Sequence, residues 1–157
     1  MKELNICIAG LGNVGAALIK SIEDNNKYFS NKSQLKINVI GISAKSKNKT
    51  RIFDIKKYKW FDDPRDMINL NNCEIFIELI GQEKGISYEL IHLALKNKIN
   101  VVTGNKALIA NHGNELLKLA EENSLALSFE AAVAGGIPII KTIKNNNALD
   151  KVKKISG

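Results

Sequence analysis

The sequence predicts an α/β fold in which a mostly parallel sheet carries helices on both faces. Short apolar runs alternate with amphipathic stretches along the chain, which is typical of parallel strands joined by helical crossovers. A glycine-rich turn, Gly10-Leu11-Gly12-Asn13-Val14-Gly15, separates the first apolar run from the first amphipathic stretch. Because such crossovers are right-handed, the units wind outward from the centre of the sheet. We therefore expect one doubly wound, Rossmann-type domain over residues 1–157.

The first half of the chain predicts two buried strands with a helix between them. Both runs are apolar almost throughout, as strands covered on two faces should be. Pro64 is typical of a first helical turn, which Asp62 or Asp63 could cap. In chain order we expect a strand over 4–9, a helix from Asn13 to Asn25 or Asn26, a polar loop over 27–34, a strand over 35–42, an irregular connection over 48–61 and a short helix over 64–69.

The second half continues the alternation and brings the expected total to about six strands. Pro138 again suits a first helical turn. In chain order we expect a strand over 74–80, a helix over 86–96, a strand over 100–103, a helix that starts over 107–110 and resumes after Gly113 towards residue 123, a strand over 125–129, a helix over 138–144 and a last strand over 152–155. The carboxyl tips of these strands should meet at one edge of the sheet, where ligands of such folds bind.

Length, composition and charge are typical of a single soluble domain. The 157 residues, 45% of them apolar, are enough for a separate core. No apolar run reaches transmembrane length, and the first strand follows Met1 directly, so we expect a cytoplasmic protein without a signal peptide or a membrane partner. The net charge of +7 comes from lysines scattered among asparagines, without a dense run or interleaved aromatics, which argues against nucleic-acid binding.

Each glycine of the turn has a separate mechanical purpose. Gly10 allows the tight turn, Gly12 lets a pyrophosphate approach because it lacks a Cβ, and Gly15 lets the helix pack on the strand. The N–H groups at the helix start then face the phosphates, with the helix dipole behind them. A plain strand-to-helix turn is the alternative, but the strand before the turn and the helix after it favour a dinucleotide site.

The tip of the second strand bears on which dinucleotide is bound. Domains that prefer NAD usually place Asp or Glu there to hold the ribose hydroxyls. This chain has Ser43, Ala44, Lys45, Ser46 and Lys47 instead. Hydroxyl and ammonium groups would hold a 2′-phosphate that an acid would repel, so we predict that NADP is accepted, either beside NAD or in preference to it. Alternatively, the lysines are ordinary solvated loop residues.

Two other strand tips carry candidate site residues. Gly81 offers a second close approach of backbone to cofactor, and Glu78 is either a functional carboxylate or a paired strand-end residue. Lys106 follows a Gly-Asn turn at the next tip, from which its side chain could reach the cofactor or a substrate carboxylate. Burial beside a nicotinamide would lower the pKa of Lys106 and suit it to proton transfer. The alternative for Lys106 is a solvated residue at a helix start, although a cation there opposes the helix dipole.

The stretch 130–138 combines one carboxylate, Glu130, with small and glycine residues whose carbonyls are accessible. One carboxylate with several carbonyls is the ligand set of a hard cation; a flexible loop before a helix is the equal alternative. The remaining candidates are expected to be structural, with Trp60 as a packing residue rather than a cofactor platform and both cysteines as reduced core thiols. These residues are His92, His112, Trp60, Cys7 and Cys73.

Three motifs together resemble the homoserine dehydrogenase family. They are Gly-Leu-Gly-Asn-Val-Gly at 10–15, Val-Val-Thr-Gly-Asn-Lys-Ala-Leu at 101–108 and Glu-Ala-Ala-Val-Ala-Gly-Gly-Ile-Pro-Ile-Ile at 130–140, and Trp-Phe-Asp-Asp-Pro at 60–64 is similar to bacterial members. The resemblance implies an NAD(P)-dependent cytoplasmic enzyme of threonine, methionine and isoleucine biosynthesis. Such an enzyme interconverts homoserine and aspartate 4-semialdehyde by hydride transfer at the nicotinamide C4.

The resemblance also implies roles for individual residues. Lys106 would contact the nicotinamide side and take part in catalysis, and Asn13 and Val14 would touch the pyrophosphate and ribose. A sodium ion would be bound by the Glu130 carboxylate and by three backbone carbonyls, those of Val133, Gly135 and Ile137.

One departure from the family is large, because its Asn-Gly-Thr-Thr motif and its second, acid–base lysine are absent from these 157 residues. We therefore expect the cofactor domain of a longer, homo-oligomeric enzyme, inactive when alone. The rival interpretations are the cofactor domain of another amino-acid dehydrogenase, such as aspartate dehydrogenase, and a nucleotide-sensing regulatory module. The 130–140 motif argues against the first rival, and the missing acid at the second strand tip argues against the second.

Overall fold

The computed structural model describes residues 1–82 and 85–146, which form a parallel sheet and flanking helices. The strands are β1 (Lys2–Ala9), β2 (Leu35–Ser43), β3 (Ile75–Glu78), β4 (Asn100–Thr103) and β5 (Leu127–Ser128). The α-helices are α1 (Asn13–Ser33), α2 (Arg65–Ile68), α3 (Ile86–Lys96), α4 (Lys106–Glu122) and α5 (Ile139–Asn146), and 3₁₀ turns occupy Ile55–Lys57 and Glu130–Ala132.

The sheet has the strand order β2-β1-β3-β4-β5, and every pair of neighbours is parallel. At the outer edge of β2, an isolated parallel bridge joins Ile42 to Trp60. If this bridge is counted as a short additional strand, the strand order becomes that of a Rossmann sheet. In that sheet all strands are parallel, and the order in which strands are added reverses between β1 and β3. The predicted fold class is thus confirmed. The strand predicted over 152–155 lies outside the described residues.

Two apolar cores, one on each face of the sheet, follow from the alternation of side chains along β1. Ile6 and Ile8 pack in a cluster with the buried face of α1, whereas Cys7 and Ala9 belong to a cluster with α3 and α4. Because successive side chains of a strand point to opposite faces, one apolar run supplies both cores. The predicted helices on both faces are therefore present.

Helix α1 is longer than predicted, and the polar loop expected over 27–34 is wrong. In this segment the Ser30 hydroxyl donates to the Asn26 carbonyl, one turn earlier in the helix. The Asn26 side chain also accepts from the N–H of Ile37 and donates to its carbonyl, which ties the helix to β2. The helix stops only where Gln34 adopts a left-handed conformation with φ of 51°.

Helix α4 runs without a break through Gly113, where the sequence predicted an interruption. Gly113 is buried, and a Cβ at this position would lie 3.3 Å from the Ile109 side chain. This glycine therefore serves close packing rather than termination of the helix. Strands β3 and β5 are shorter than the ranges 74–80 and 125–129. Strand β3 ends at Glu78, which pairs with Ala9 and Thr103, the last residues of its two neighbours.

The strand register brings four carboxyl tips together at one edge. Ala9 pairs with both Ser43 and Glu78, and Glu78 pairs with Thr103. The glycine turn, the tip of β2, the loop after β3 and the start of α4 therefore all leave the sheet side by side. Among the described residues no helix combines the length and apolar character that crossing a bilayer requires.

Candidate functional site

A cavity of about 960 Å³ opens at this edge, at the reversal point between β1 and β3. Its walls come from Gly10 and Gly12 of the turn, the tip and following loop of β2, the segment around Trp60, and Leu79 and Ile80 after β3. The volume is near the upper end of the range for small-molecule and cofactor pockets. The cavity therefore has the position and size expected for a dinucleotide.

The three glycines of the turn differ in what requires them. Gly10 has φ of +100°, and a Cβ there would lie 2.4 Å from the Leu79 carbonyl group. A Cβ at Gly15 would lie 2.0 Å from the carbonyl oxygen of Gly10. Gly12 has φ of −73°, which any residue can adopt, and a Cβ there would meet no atom within 4 Å. Packing thus requires Gly10 and Gly15, whereas Gly12 borders open space that a ligand can occupy.

The loop after β2 forms a cationic wall. Ala44 and Lys45, two of the predicted cofactor residues, line the cavity, and Lys47 and Lys49 line it with them. The carbonyl of Ser43 accepts the N–H of Gly10 at 2.9 Å, so this wall is joined directly to the glycine turn. The described lining of this loop contains no carboxylate, which matches the composition that predicted NADP.

Arg51 organises this loop, and sequence reasoning missed it. Its guanidinium donates to the carbonyls of Ser46, Lys47 and Lys49 at 2.5, 3.1 and 2.9 Å. Among the described residues, the buried Nε of Arg51 has no hydrogen-bond partner, and the guanidinium lies 5.6 Å from the centre of the Trp60 ring. No spacing pattern could have revealed these contacts, because they arise only when the loop folds back on itself.

Trp60 lines the cavity instead of serving only as packing. Its indole N–H donates to Asp62 at 2.8 Å, which fixes the ring, and the Lys47 ammonium lies 5.9 Å from the ring centre. The ring is partly exposed. This position is compatible with an aromatic platform for the cofactor, which is the less favoured of the two interpretations of Trp60 from the sequence.

The other predicted cofactor residues, Asn13, Val14, Gly15, Gly81 and Lys106, are not among the residues that line the cavity. Asn13 and Val14 are the first residues of α1, and Val14 is 64% exposed. Gly81 has φ of +80° and comes directly after Ile80, which lines the cavity. Lys106 begins α4 and is exposed, so the burial expected for it is not present in the chain alone. Asn105 caps the helix by accepting the N–H of Leu108 at 3.2 Å.

The segment from Glu130 to Ile139 contains the oxygen ligands expected for a cation, but some of these oxygens accept hydrogen bonds from the protein itself. The Glu130 carboxylate accepts the N–H of Lys141 at 3.4 Å, and the Ile137 carbonyl accepts the N–H of Ile139 at 2.8 Å. Gly135 is left-handed, with φ of 60°. In the described part of the chain, no group of three His, Cys, Asp or Glu side chains could hold a metal. A cation here would therefore depend on backbone carbonyls, a donor set that fits a hard monovalent ion.

Some of the shifted pKa values belong to side chains of α2, α3 and the segment before Trp60, which adjoin the cavity lining. The guanidinium of Arg65 donates to Glu89 at 2.7 Å, which links α2 to α3 and lowers the pKa of the Glu89 carboxyl. Burial, followed by its hydrogen bond to Glu23, raises the pKa of Tyr58 to about 12. Arg65, Glu89 and Tyr58 hold charge or protons in fixed places, but none of these three side chains lines the cavity.

The two histidines and two cysteines are placed as structural residues. Both His92 and His112 pack against the ring of Tyr88, with ring centres 5.8 and 4.9 Å away. Cys7 and Cys73 are buried free thiols, and the hydrogen bond between them, together with burial, raises the pKa of Cys7.

A family model described as the NAD binding domain of homoserine dehydrogenase matches residues 10–130. The chain belongs to the homoserine dehydrogenase family. The homoserine dehydrogenase of Neisseria gonorrhoeae is 35% identical over 157 residues, and that of Bacillus subtilis is 34% identical over 157 residues. Each alignment covers 100% of this chain and 36% of the relative, so the chain spans about a third of the length of these curated homoserine dehydrogenases.

Solved structures of the family agree with this assignment. The Staphylococcus aureus homoserine dehydrogenase at pH 8.5 superposes with a TM-score of 0.81 at 39% identity, covering 87% of this chain and 34% of that one. A hyperthermophilic archaeal homoserine dehydrogenase in complex with NADPH gives a TM-score of 0.74 at 28% identity, covering 90% of this chain and 48% of that one. The predicted family and fold are confirmed, and the chain is a nicotinamide-dinucleotide-binding domain of homoserine dehydrogenase type. The roles of individual residues stay predictions.

Proposed function

We propose that this chain binds NADP(H) in the cavity at the glycine turn and thereby serves the homoserine dehydrogenase reaction. The observation that carries the proposal is the open space at Gly12 beside a wall of lysines. A fold that needed only a turn would not leave this space next to helix-start N–H groups and a loop that lines the cavity with lysines and no described carboxylate. Both features favour an anionic ligand with more than one phosphate.

The chemistry of the walls supports one direction for the bound dinucleotide in this proposal. The cationic loop with Lys45 and Lys47 suits the 2′-phosphate, and the Trp60 ring suits the neighbouring adenine. The pyrophosphate then lies at Gly12, and the nicotinamide half extends towards Gly81 and Lys106. When bound, the nicotinamide supplies the hydride-transferring carbon, while Lys106 presents an ammonium group that can orient a substrate carboxylate or hold a proton.

The reaction is tested in the full-length protein by homoserine-dependent reduction of NADP. We propose that residues 1–157 supply only the nucleotide domain, since the chain spans about a third of its curated relatives. The expected result is turnover by the full-length protein and none by this chain alone, although the chain alone still binds NADPH. Substantial turnover by the chain alone would contradict this division.

Cofactor preference is tested by reversing charge in the β2 loop. We expect NADPH to bind more tightly than NADH, and the double substitution Lys45→Glu with Lys47→Glu to weaken NADPH binding about tenfold while changing NADH binding little. Energy transfer from Trp60, the single tryptophan of the chain, to the reduced nicotinamide reports both affinities.

The matched control for this charge reversal is Lys27→Glu with Lys32→Glu, which makes the same change of charge on exposed residues of α1. A general electrostatic effect would weaken NADPH binding in both pairs. Tighter binding of NADH than of NADPH by the unmodified chain would overturn the NADP preference.

A sodium ion bound by Glu130 and the carbonyls of Val133, Gly135 and Ile137 is a further part of the proposal. In the full-length protein, we expect Glu130→Gln to raise the sodium concentration needed for half-maximal activity about tenfold, because the site loses its only carboxylate. Activity is measured in sodium chloride against N-methylglucamine chloride at constant ionic strength. Glu122→Gln, on the exposed end of α4, is the control; equal sodium dependence in both variants would remove Glu130 from the site.

The compartment and assembly of the full-length protein are proposals of the same kind. Two free buried thiols support a reducing compartment such as the cytoplasm, and the family resemblance supports a homo-oligomer with homoserine or aspartate 4-semialdehyde as substrate. Light scattering of the full-length protein tests the assembly.

A further inference from the structure

Glu78 is a fully buried carboxylate at the tip of β3 that the proposed reaction does not use. One of its oxygens accepts the N–H groups of Ile80 and Gly81 at 2.8 and 3.2 Å and the Ser87 hydroxyl at 2.9 Å; the other accepts the Thr103 hydroxyl at 2.6 Å. All four donors are neutral. Burying a carboxylate is costly unless its hydrogen bonds are satisfied, so this arrangement indicates a group retained for what it holds in place.

The first thing that Glu78 holds is the loop that presses on the glycine turn. The peptide between Leu79 and Ile80 lies directly against Gly10, where a Cβ would come within 2.6 Å of the Ile80 nitrogen. The N–H of Leu79 also donates to the Ala9 carbonyl at 2.7 Å. A shift of this loop would therefore move the wall against which the pyrophosphate turn packs.

The second element that Glu78 holds in place is the turn from Thr103 to Asn105, which leads into Lys106. The Thr103 hydroxyl that donates to Glu78 also accepts the N–H of Asn105 at 3.1 Å. The Asn105 amide in turn donates to the Gln82 carbonyl at 2.6 Å, while its oxygen caps α4. The carboxylate, the loop after β3 and the residue before Lys106 thus form a closed ring of hydrogen bonds.

We infer that Glu78 is a positioning residue that aligns the β3 loop and Lys106 with the glycine turn, so that both meet the nicotinamide half of the dinucleotide. The inference rests on the proposed function. It assigns Glu78 no contact with substrate or cofactor. Its effect passes through the backbone N–H groups that it accepts and through the Thr103–Asn105 link.

Glu78→Gln tests this role with little change of shape. The glutamine oxygen can still accept the N–H groups of Ile80 and Gly81, but its amide group now faces Thr103 as a donor. The Thr103 O–H then loses its carboxylate acceptor, so the charge-assisted hydrogen bond between Thr103 and residue 78 is lost from the ring, although the Thr103 oxygen still accepts the N–H of Asn105. Glu74→Gln is the matched control, because Glu74 accepts the N–H of Asn5 at 2.8 Å just before the opposite end of the same strand.

The measurements, made in the full-length protein, separate the two halves of the cofactor site. Adenosine 2′-monophosphate probes only the cationic loop, whereas NADPH also probes the glycine turn and the nicotinamide end. We expect Glu78→Gln to weaken NADPH binding about tenfold and to lower hydride transfer at saturating cofactor by about a hundredfold. Binding of adenosine 2′-monophosphate should stay unchanged, and Glu74→Gln should leave all three quantities unchanged.

Each outcome decides between the inference and its alternatives. Equal losses for NADPH and adenosine 2′-monophosphate would show general destabilisation and overturn the inference, as would no loss for either. If the unmodified protein bound no NADPH, the proposed function would fail first and the inference with it. Should Glu78→Gln fail to fold, Thr103→Val removes the same link isosterically and must show the same split between the two probes, or the inference is overturned.

Discussion

Replacing Gly12 by alanine should weaken NADPH binding about a hundredfold, since displacing the pyrophosphate from two helix-start N–H groups forfeits about 3 kcal/mol. The new methyl group would occupy space that contains no protein atom within 4 Å, and φ of −73° is comfortable for alanine. We therefore expect folding stability to stay the same or to rise by about 0.5 kcal/mol, because alanine restricts the unfolded chain. Titration with NADPH and urea denaturation measure the two effects separately.

Gly15→Ala is the informative contrast to Gly12→Ala. Its methyl group would lie 2.0 Å from the Gly10 carbonyl oxygen, which is backbone and cannot rotate away. We expect a loss of stability of about 3 kcal/mol or more, with the loss of binding following from it. If Gly12→Ala bound NADPH like the unmodified chain, the pyrophosphate would not lie at this turn.

Replacing Lys106 by methionine should lower hydride transfer in the full-length protein by about a thousandfold, which is the range for removal of a proton-transferring group. NADPH affinity should change by less than about threefold, because an exposed side chain at the far side of the cavity contributes little to gripping the phosphates. Stability should not fall, since the substitution removes a cation from the unfavourable end of the α4 dipole. Steady-state turnover and direct NADPH titration separate these effects.

Lys118→Met is the control for Lys106→Met. Lys118 lies on the same helix, with 79% of its side chain exposed, and is paired only loosely with Glu122 at 3.9 Å. Its replacement should leave turnover unchanged. Turnover by Lys106→Met at the level of this control would exclude Lys106 from the chemistry.

The parts of the site that could be predicted from the sequence depend on local covalent geometry. The Gly10-to-Gly15 turn is readable because a strand, a tight turn and a helix must follow one another within a few residues. The lack of an acid after Ser43 could also be interpreted from the sequence. Parallel strands joined by a helical crossover end at the same edge of the sheet, so this strand tip is expected beside the glycine turn. These positions are where the structure has its cavity.

The features that could not be predicted depend on side-chain contacts that exist only in the folded chain. Arg51 bonds to carbonyls of its own loop and stacks near Trp60 only once that loop closes. Gly113 resembles a helix stop until the neighbouring Ile109 side chain shows that it permits close packing. Asn26 resembles a helix end until its amide pairs with Ile37. In each case tertiary packing overrides a local preference.

The single bridge between Ile42 and Trp60 has an evolutionary consequence. Hydrogen bonds from Ile42 to Lys59 and from Phe61 to Ile42 fix where the chain leaves and rejoins the sheet edge. Between Ser43 and Phe53, a fully described stretch, no residue is buried. In this stretch only Ala44 packs against a core cluster. On the proposed function, we therefore expect mutations between Lys45 and Ile52 to alter coenzyme choice while both cores stay intact, so that small heritable steps exchange NADP for NAD, or the reverse, in a domain that stays foldable.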